Sequence, residues 1–418
     1  MLETKDILAL LPEMKSGKEL ATEMAILPEY NENIRNENQA TRLMALSDLY
    51  NVYIPSAMSM EIYSKLYLAL LRSLQKKGTK DAVKQRYENH KAIMQQGSSG
   101  IMGGSDSFTI IGCSGIGKSS AISRAINLIT ENRVIEIKQP YIKIIPCLVV
   151  QTPFDSSVKG LMLEILRKVD EMLESDYYRN AVKSRNATTD MLIGVVSTIA
   201  LNHIGLLIVD EIQNVVNSKN GKSLVGMLTQ LINNSGISIC MVGTPESKVF
   251  FEQAMQLARR SLGLEYGEMA YNEEFRGICK ILYSYQYVQQ SVEITDAVIE
   301  WLYEHSAGVI SVVVSLIHDA QEITILNGKE VLNLETLNEA YQKRLSLLHD
   351  YIKPTIINKG QLSKPKKKIT ATSITKSGGE VSEMGNASIS DMVVKAKSED
   401  TDIVSLMREH FVVVEVAV

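Results

Sequence analysis

Cysteine is scarce in this chain and never paired at short spacing. The 418 residues include four, Cys113, Cys147, Cys240 and Cys279. With no CxxC pair among them, neither a zinc site nor a disulfide framework is indicated, and a reducing compartment suits them. An excess of one charge is lacking too. Lys and Arg number 44 against 48 Asp and Glu, a net charge of −4. Any contact with nucleic acid must therefore use a local patch instead of a global basic field. The imbalance sits in the first fifty residues, which hold nine acidic and five basic side chains and leave 39 of each in the remainder. No apolar run is long enough to span a bilayer, and no basic segment leads into an apolar one at the N-terminus. The nearest candidate, residues 191–209, is broken by Asn202 and His203 and reads as a helix followed by a buried strand. A cytoplasmic protein with no membrane contact is the expectation.

What is present is a core, since 45% of the residues are apolar, and a motif around which the chain is organised. Residues 107–123 read SFTIIGCSGIGKSSAIS. A strand-like run, 108–111, feeds GCSGIGKS, which fits GxxxxGK[ST] at every fixed position, and a helix-like run follows. The glycines let the backbone bend until successive N–H groups face one polyphosphate, with no side chain in the way. Candidate phosphate-binding residues are Gly112, Ser114, Gly115, Ile116, Gly117, Lys118, Ser119 and Ser120. Lys118 would place its ammonium on the β- and γ-phosphates of ATP, Ser119 its hydroxyl on Mg²⁺, and the helix its positive end on the anion.

Further along, GLLIVDE (205–211) is a buried strand that delivers two carboxylates at its end. Downstream of a phosphate loop, Asp210 would hold Mg²⁺ and Glu211 would polarise the water that attacks the γ-phosphate. The run 237–242 is another strand, ending in Gly243-Thr244-Pro245. Thr244 is the candidate for holding that water. Arg259 and Arg260 follow a short helix later, placed either as an arginine finger given to a neighbouring subunit or as a surface ion-pair pair. Together with YIKIIPCLVVQ (141–151), these signals describe an α/β fold. Its sheet is open and mostly parallel, flanked by helices, with the ligand at the strands' carboxyl edge.

The remainder divides by composition. Residues 1–50 read as a separate acidic appendage open to partner contact. Residues 51–270 form the nucleotide-binding unit, with an extended lead-in at 51–55 and a helix from Met58 to the stop at Gly78. That helix continues into a basic stretch carrying Lys76, Lys77, Lys80, Lys84, Arg86 and Lys91, either a solvated face or a DNA or partner contact. Residues 271–350 form a helical lid with Thr295 and Asn333 as N-caps and Gly308 and Gly328 as stops. Trp301, the sole tryptophan, falls in its core. From 351 a disordered basic Ser/Thr-rich tail leads to FVVVEVAV (411–418), an apolar peptide suited to docking on a partner or folding back on the sheet edge.

The ordered set GCSGIGKSS, GLLIVDEIQN, SICMVGTPES and QLARR, followed by a helical lid, resembles the TnsC/TniB-type AAA+ ATPases. These are target-selection regulators of cut-and-paste and CRISPR-associated transposons. The resemblance covers roughly residues 50–350. It implies an ATPase with ATP and Mg²⁺ that forms a homo-oligomeric ring or filament on double-stranded DNA. The implied partners are transposase subunits and a target-selection protein or CRISPR effector complex. Lys118, Ser119, Asp210, Glu211 and Thr244 match the family's site positions, and Arg259 or Arg260 its finger. Residues 308–315, GVISVVVS, depart from the pattern, because AAA+ lids commonly present an arginine there. DNA contacts are implied at Thr152, Lys159, Lys183 and Arg185. Other readings of the same motifs are an origin-recognition-like replication initiator or loader and a nucleotide-bound, non-catalytic scaffold linking DNA to partners.

Overall fold

A computed structural model describes residues 11–345 apart from 78–83, 85–86, 88–106, 132, 139–140, 156, 184–187, 216–220 and 249–260. Arg185, Arg259, Arg260, the glycine-rich link at 97–104 and the tail from 351 onward lie outside the described residues.

Short helices α1 (Gly17–Met24), α2 (Gln39–Ala45) and α3 (Asp48–Asn51) precede the long α4 (Ala57–Lys77). Then come β1 (Ser107–Gly112), α5 (Lys118–Thr130), β2 (Ile135–Lys138), β3 (Tyr141–Gln151), α6 (Val158–Leu173) and α7 (Tyr177–Lys183). After α8 (Thr189–His203) follow β4 (Ile204–Asp210), α9 (Gly221–Ser235), β5 (Ser238–Gly243) and β6 (Ser261–Tyr266). Helices α10 (Glu273–Ser284), α11 (Asp296–Ser306), α12 (Ile310–Asn327) and α13 (Leu334–Arg344) complete the described chain.

The sheet has the order β2-β3-β4-β5-β1-β6, parallel throughout except for β2. This is the α/β phosphate-loop architecture the motifs predict. Strand alternation explains its layers. In β4 and β5, Leu207, Val209, Ile239 and Met241 face α6, α8 and α9, whereas Leu206, Ile208, Cys240 and Val242 face α4 and α5. Both faces are covered, as a parallel sheet requires. Register then aligns the functional ends. Ile111 pairs with Gly243 and Gln151 with Asp210. Strand β5 lies between β1 and β4, so Gly112, Asp210 and Thr244 emerge at one edge.

The lid helices α10 to α13 close a separate core around Phe275, Leu302, Val313 and Leu316. Their starts are fixed by side-chain caps, Asn272 on Phe275 N, Thr295 on Val298 N, and a capping box between Asn333 and Thr336. Trp301 is partly buried against this core and stacks on His305, with ring centroids 3.9 Å apart. Among the described residues no single helix is long and apolar enough to cross a membrane.

The N-terminal residues do not stand apart as the composition suggests. Leu20 and Met24 of α1 are buried with the α4 and α5 side chains, and Arg124 of α5 donates to the carbonyls of Met24 and Glu23. Leu46 and Leu49 are buried in the lid core. Arg42, 2% exposed, donates to both oxygens of Glu330, at 2.5 and 2.6 Å, and to the Tyr287 carbonyl at 3.1 Å. Acidic composition does not reveal this role, because a few apolar side chains and one buried arginine make the attachment. Residues 17–51 thus strap the phosphate-loop helix to the lid.

Removing Arg42 would leave a shielded carboxylate unpaired, a loss of about 3–5 kcal/mol for a buried pair. Arg42→Ala is therefore expected to lower the denaturant midpoint without changing the slope. The hydrogen bond from Arg42 holds the Glu330 carboxyl below its ordinary range. This stability is fully present at neutral pH and is lost as the pH falls through the depressed value. Wild type and variant should therefore converge in acid, which urea titrations at several pH values would check.

Candidate functional site

Strand β1 ends at Gly112, and the turn to α5 is made by residues 113–117. Gly115 and Gly117 have φ of +82° and +96°, in the region where a side chain is strained. Gly112 is needed for space, because a Cβ there would lie 2.6 Å from Ile116 Cδ1 and 2.8 Å from the Tyr266 carbonyl oxygen. The backbone consequently wraps closely around the start of α5, whose first-turn N–H groups face the loop.

Lys118 folds over this loop and donates to the Gly112 and Cys113 carbonyls at 2.6 and 2.8 Å. Burial pushes its pKa down, opposed by the nearby carboxylate of Asp210. Cys113 donates to Glu268 at 3.0 Å. That hydrogen bond, with burial, pushes the thiol up to about 11, which keeps it protonated at neutral pH.

Asp210 is held from three sides. Oδ2 accepts from Ser119 Oγ at 3.3 Å, Oδ1 accepts from the Glu211 N–H at 2.8 Å, and the carbonyl accepts from Thr152 N and Oγ1, both at 2.9 Å. Thr152 is accordingly a correction: expected on a DNA-facing surface, it is buried, and its hydroxyl fixes the Asp210 strand end. Lys159 in the first turn of α6 and Lys183 at the end of α7 are exposed.

Glu211 has φ of +58° and is exposed. Its Oε2 accepts from Gln213 Nε2, and Gln213 Oε1 accepts from the Thr244 N–H at 3.3 Å. The Thr244 hydroxyl is buried and makes no hydrogen bond of ordinary geometry. At longer reach it holds the Glu246 carboxyl below its usual range. Lys118, Ser119, Asp210, Glu211 and Thr244 therefore line one cleft of about 270 Å³, which Ser114, Gly115, Gly117 and Ser120 also border. Beside it, sharing Gly115, Gly117 and Ser120, lies a more apolar cavity of about 260 Å³ walled by Val52, Ile54, Met58, Ile310 and Val314.

The lid reaches the loop at a position the sequence marked only by a missing arginine. Ser311 N donates to the Gly115 carbonyl at 3.2 Å, and Ser311 also borders the phosphate-side cleft. Sequence reasoning missed Ser311, Gln213 and the apolar cavity walls. The polar residue two positions beyond Glu211 was the available signal for Gln213; the others come from segments distant in the chain.

Residues 81–264 match the family model described as TniB, bacterial TniB protein. The resemblance expected from the motifs is borne out over that segment. No curated protein sequence matches the chain. Among solved structures, the Aeropyrum pernix Orc1 protein in complex with DNA is similar at 14% identity and a TM-score of 0.42, over 63% of this chain and 64% of that one. The chain thus spans less than two thirds of that protein. The Drosophila ORC bound to DNA matches at 12% identity and a TM-score of 0.45, covering 80% of this chain and 70% of that one. Domain III of the Thermotoga maritima replication initiation protein DnaA matches at 18% identity and a TM-score of 0.34, covering 66% and 94%.

A Cβ at Gly115 would lie 2.3 Å from Ser311 Oγ and 3.0 Å from Val309 Cγ1. Gly115→Ala is therefore expected to push the lid off the loop and weaken nucleotide binding by about tenfold or more, from strain and lost contact together. Titration with a fluorescent ATP analogue would measure it, and unchanged affinity would contradict the assignment of this turn.

Proposed function

We propose that this chain is an ATP-dependent DNA-binding regulator that oligomerises on duplex DNA and recruits or activates a transposase at a selected target. ATP hydrolysis drives its disassembly. The observation that carries the reading is the convergence of Lys118, Ser119, Asp210, Glu211 and Thr244 on one cleft at the carboxyl edge of the sheet. The TniB match over residues 81–264 supports the transposition side of it.

The cleft suits a triphosphate. A bent backbone, a helix start and Lys118 offer donors and positive charge, and the buried Thr244 hydroxyl, which makes no hydrogen bond of ordinary geometry, offers a polar atom. The adjoining apolar cavity suits the flat face of a purine. Oxygen donors at Ser119 and Asp210, 3.3 Å apart, suit a hard divalent cation. Mg²⁺ bound there would offset phosphate charge. The protein's own part is separable: Lys118 holds the phosphates, Glu211 accepts a proton from water, and Thr244 orients that water. A DNA-bound oligomer would bring Arg259 or Arg260 to the neighbouring subunit's cleft. Lys159, Lys183 and Arg185 are the proposed phosphate contacts on DNA, in cooperation with transposase subunits and a target-selection protein or CRISPR effector complex.

The run 308–315, which holds no basic residue, favours a second reading, in which nucleotide is a structural ligand and the protein a scaffold. The Glu211→Gln variant separates them. As a regulator it should hydrolyse ATP about 10²- to 10⁴-fold more slowly, the usual share of a general base, and accumulate as ATP-bound assemblies on DNA. Sedimentation of DNA-bound protein with ATP and with ADP would read this out, and binding should weaken steeply with salt. A variant that assembles and disassembles like wild type would establish the scaffold.

A further inference from the structure

We propose that Gln213 is a positioning residue for hydrolysis: its side-chain amide is a two-ended clip that orients the Glu211 carboxylate and ties it to the end of β5. This deepens the ATPase reading above and rests on it.

A carboxamide offers one acceptor and one donor group, and their order is fixed by what they face. The Thr244 N–H can only donate, so the end of Gln213 that meets it at 3.3 Å is Oε1. Nε2 is then turned to Glu211 Oε2, to which it donates. The reversed amide would set donor against donor and oxygen against carboxylate oxygen. Both contacts together hold one orientation.

The clip sits on a rigid mount. Gln213 belongs to a single 3-10 turn, Ile212–Val215, which follows β4 directly. Ile212 is fully buried in the sheet core. Asn214 N donates to the Glu211 carbonyl at 3.1 Å, and Asn214 Nδ2 donates to the Thr152 carbonyl at 3.2 Å. On the other side, Gly243 lets β5 close on this turn. A Cβ there would lie 2.6 Å from Ile212 Cγ2, 3.1 Å from Gln213 Oε1 and 2.3 Å from Ser247 Oγ. The left-handed backbone of Glu211, φ +58°, is unfavourable for a non-glycine residue and persists because both neighbours are anchored.

The chemical consequence is a fixed relation between two groups that must address the same water. One Glu211 oxygen is engaged by the clip and the other remains to accept a proton. Thr244, whose N–H anchors the clip, carries the buried hydroxyl on the same residue. Base and water-holding group are thereby set by one side chain, which stabilises the reacting geometry through Glu211 and Thr244.

A double-mutant cycle tests it on the full chain with duplex DNA, Mg²⁺ and ATP. It compares wild type, Gln213→Ala, Glu211→Gln and the double variant by kcat, KM and affinity for a fluorescent ATP analogue. Gln213→Ala is expected to lower kcat by about 10- to 100-fold, the scale of a misplaced catalytic group, with analogue affinity unchanged. Because Gln213 acts through Glu211, the double variant should be no slower than Glu211→Gln alone, whereas independent structural losses multiply. Gln213→Met, similar in size without the amide, should match Gln213→Ala and serves if the alanine variant folds poorly. Losses that multiply, an effect on affinity instead of kcat, or an unchanged kcat in a hydrolysing wild type would overturn the clip alone. A wild type that hydrolyses no ATP would overturn the ATPase reading and the clip with it.

Discussion

A polyphosphate can be held only where several backbone N–H groups face one point and no side chain intervenes. That constraint orders this structure. It places glycine at Gly115 and Gly117 with left-handed backbones and starts α5 at Lys118. It also demands a parallel sheet whose register brings Asp210 and Thr244 to the edge where β1 ends. Two of the three layers are apolar packing in the service of that alignment. Strands β4 and β5, buried on both faces, cannot slip by one residue without turning every side chain to the opposite layer.

Above the loop, the lid approaches through main chain and a small side chain. Ser311 meets the Gly115 carbonyl, so the lid senses the loop by fit. The strap formed by residues 17–51 joins the phosphate-loop helix to the lid through Arg124 at one end and Arg42 at the other. Because Val52 and Ile54 at its end wall the apolar cavity, a ligand there would touch strap, loop and lid together. Strap, loop and lid are therefore one mechanical unit around the proposed nucleotide.

The parts legible in the sequence are those whose signal is local. The phosphate loop needs its glycines and Lys118 at fixed spacing, and β3, β4 and β5 announce themselves as aliphatic runs. Caps at Thr295 and Asn333 are read from one residue and the N–H three positions on. What was illegible depends on partners far away in the chain. Strand β6 is a short edge strand with Gly263 in its middle, a weak propensity signal decided by pairing with β1. Helix α7, by contrast, lies in a polar segment and is started by a nearby residue outside it, Asp170, which accepts from the N–H groups of Tyr177 and Tyr178. Thr152 looked like a surface residue after a strand until the carbonyl of Asp210 claimed its hydroxyl.

The central claim is that the Gly112 to Ser119 turn holds the phosphates of ATP with Lys118 as their cation. Isothermal calorimetry of ATP with Mg²⁺ on the full chain, wild type against Lys118→Ala, tests it most directly. The account predicts saturable binding by wild type and a loss of at least about tenfold in the variant, the value of one charge-assisted contact of roughly 1.5–3 kcal/mol. Equal binding by the two proteins, or no binding by wild type, would contradict it.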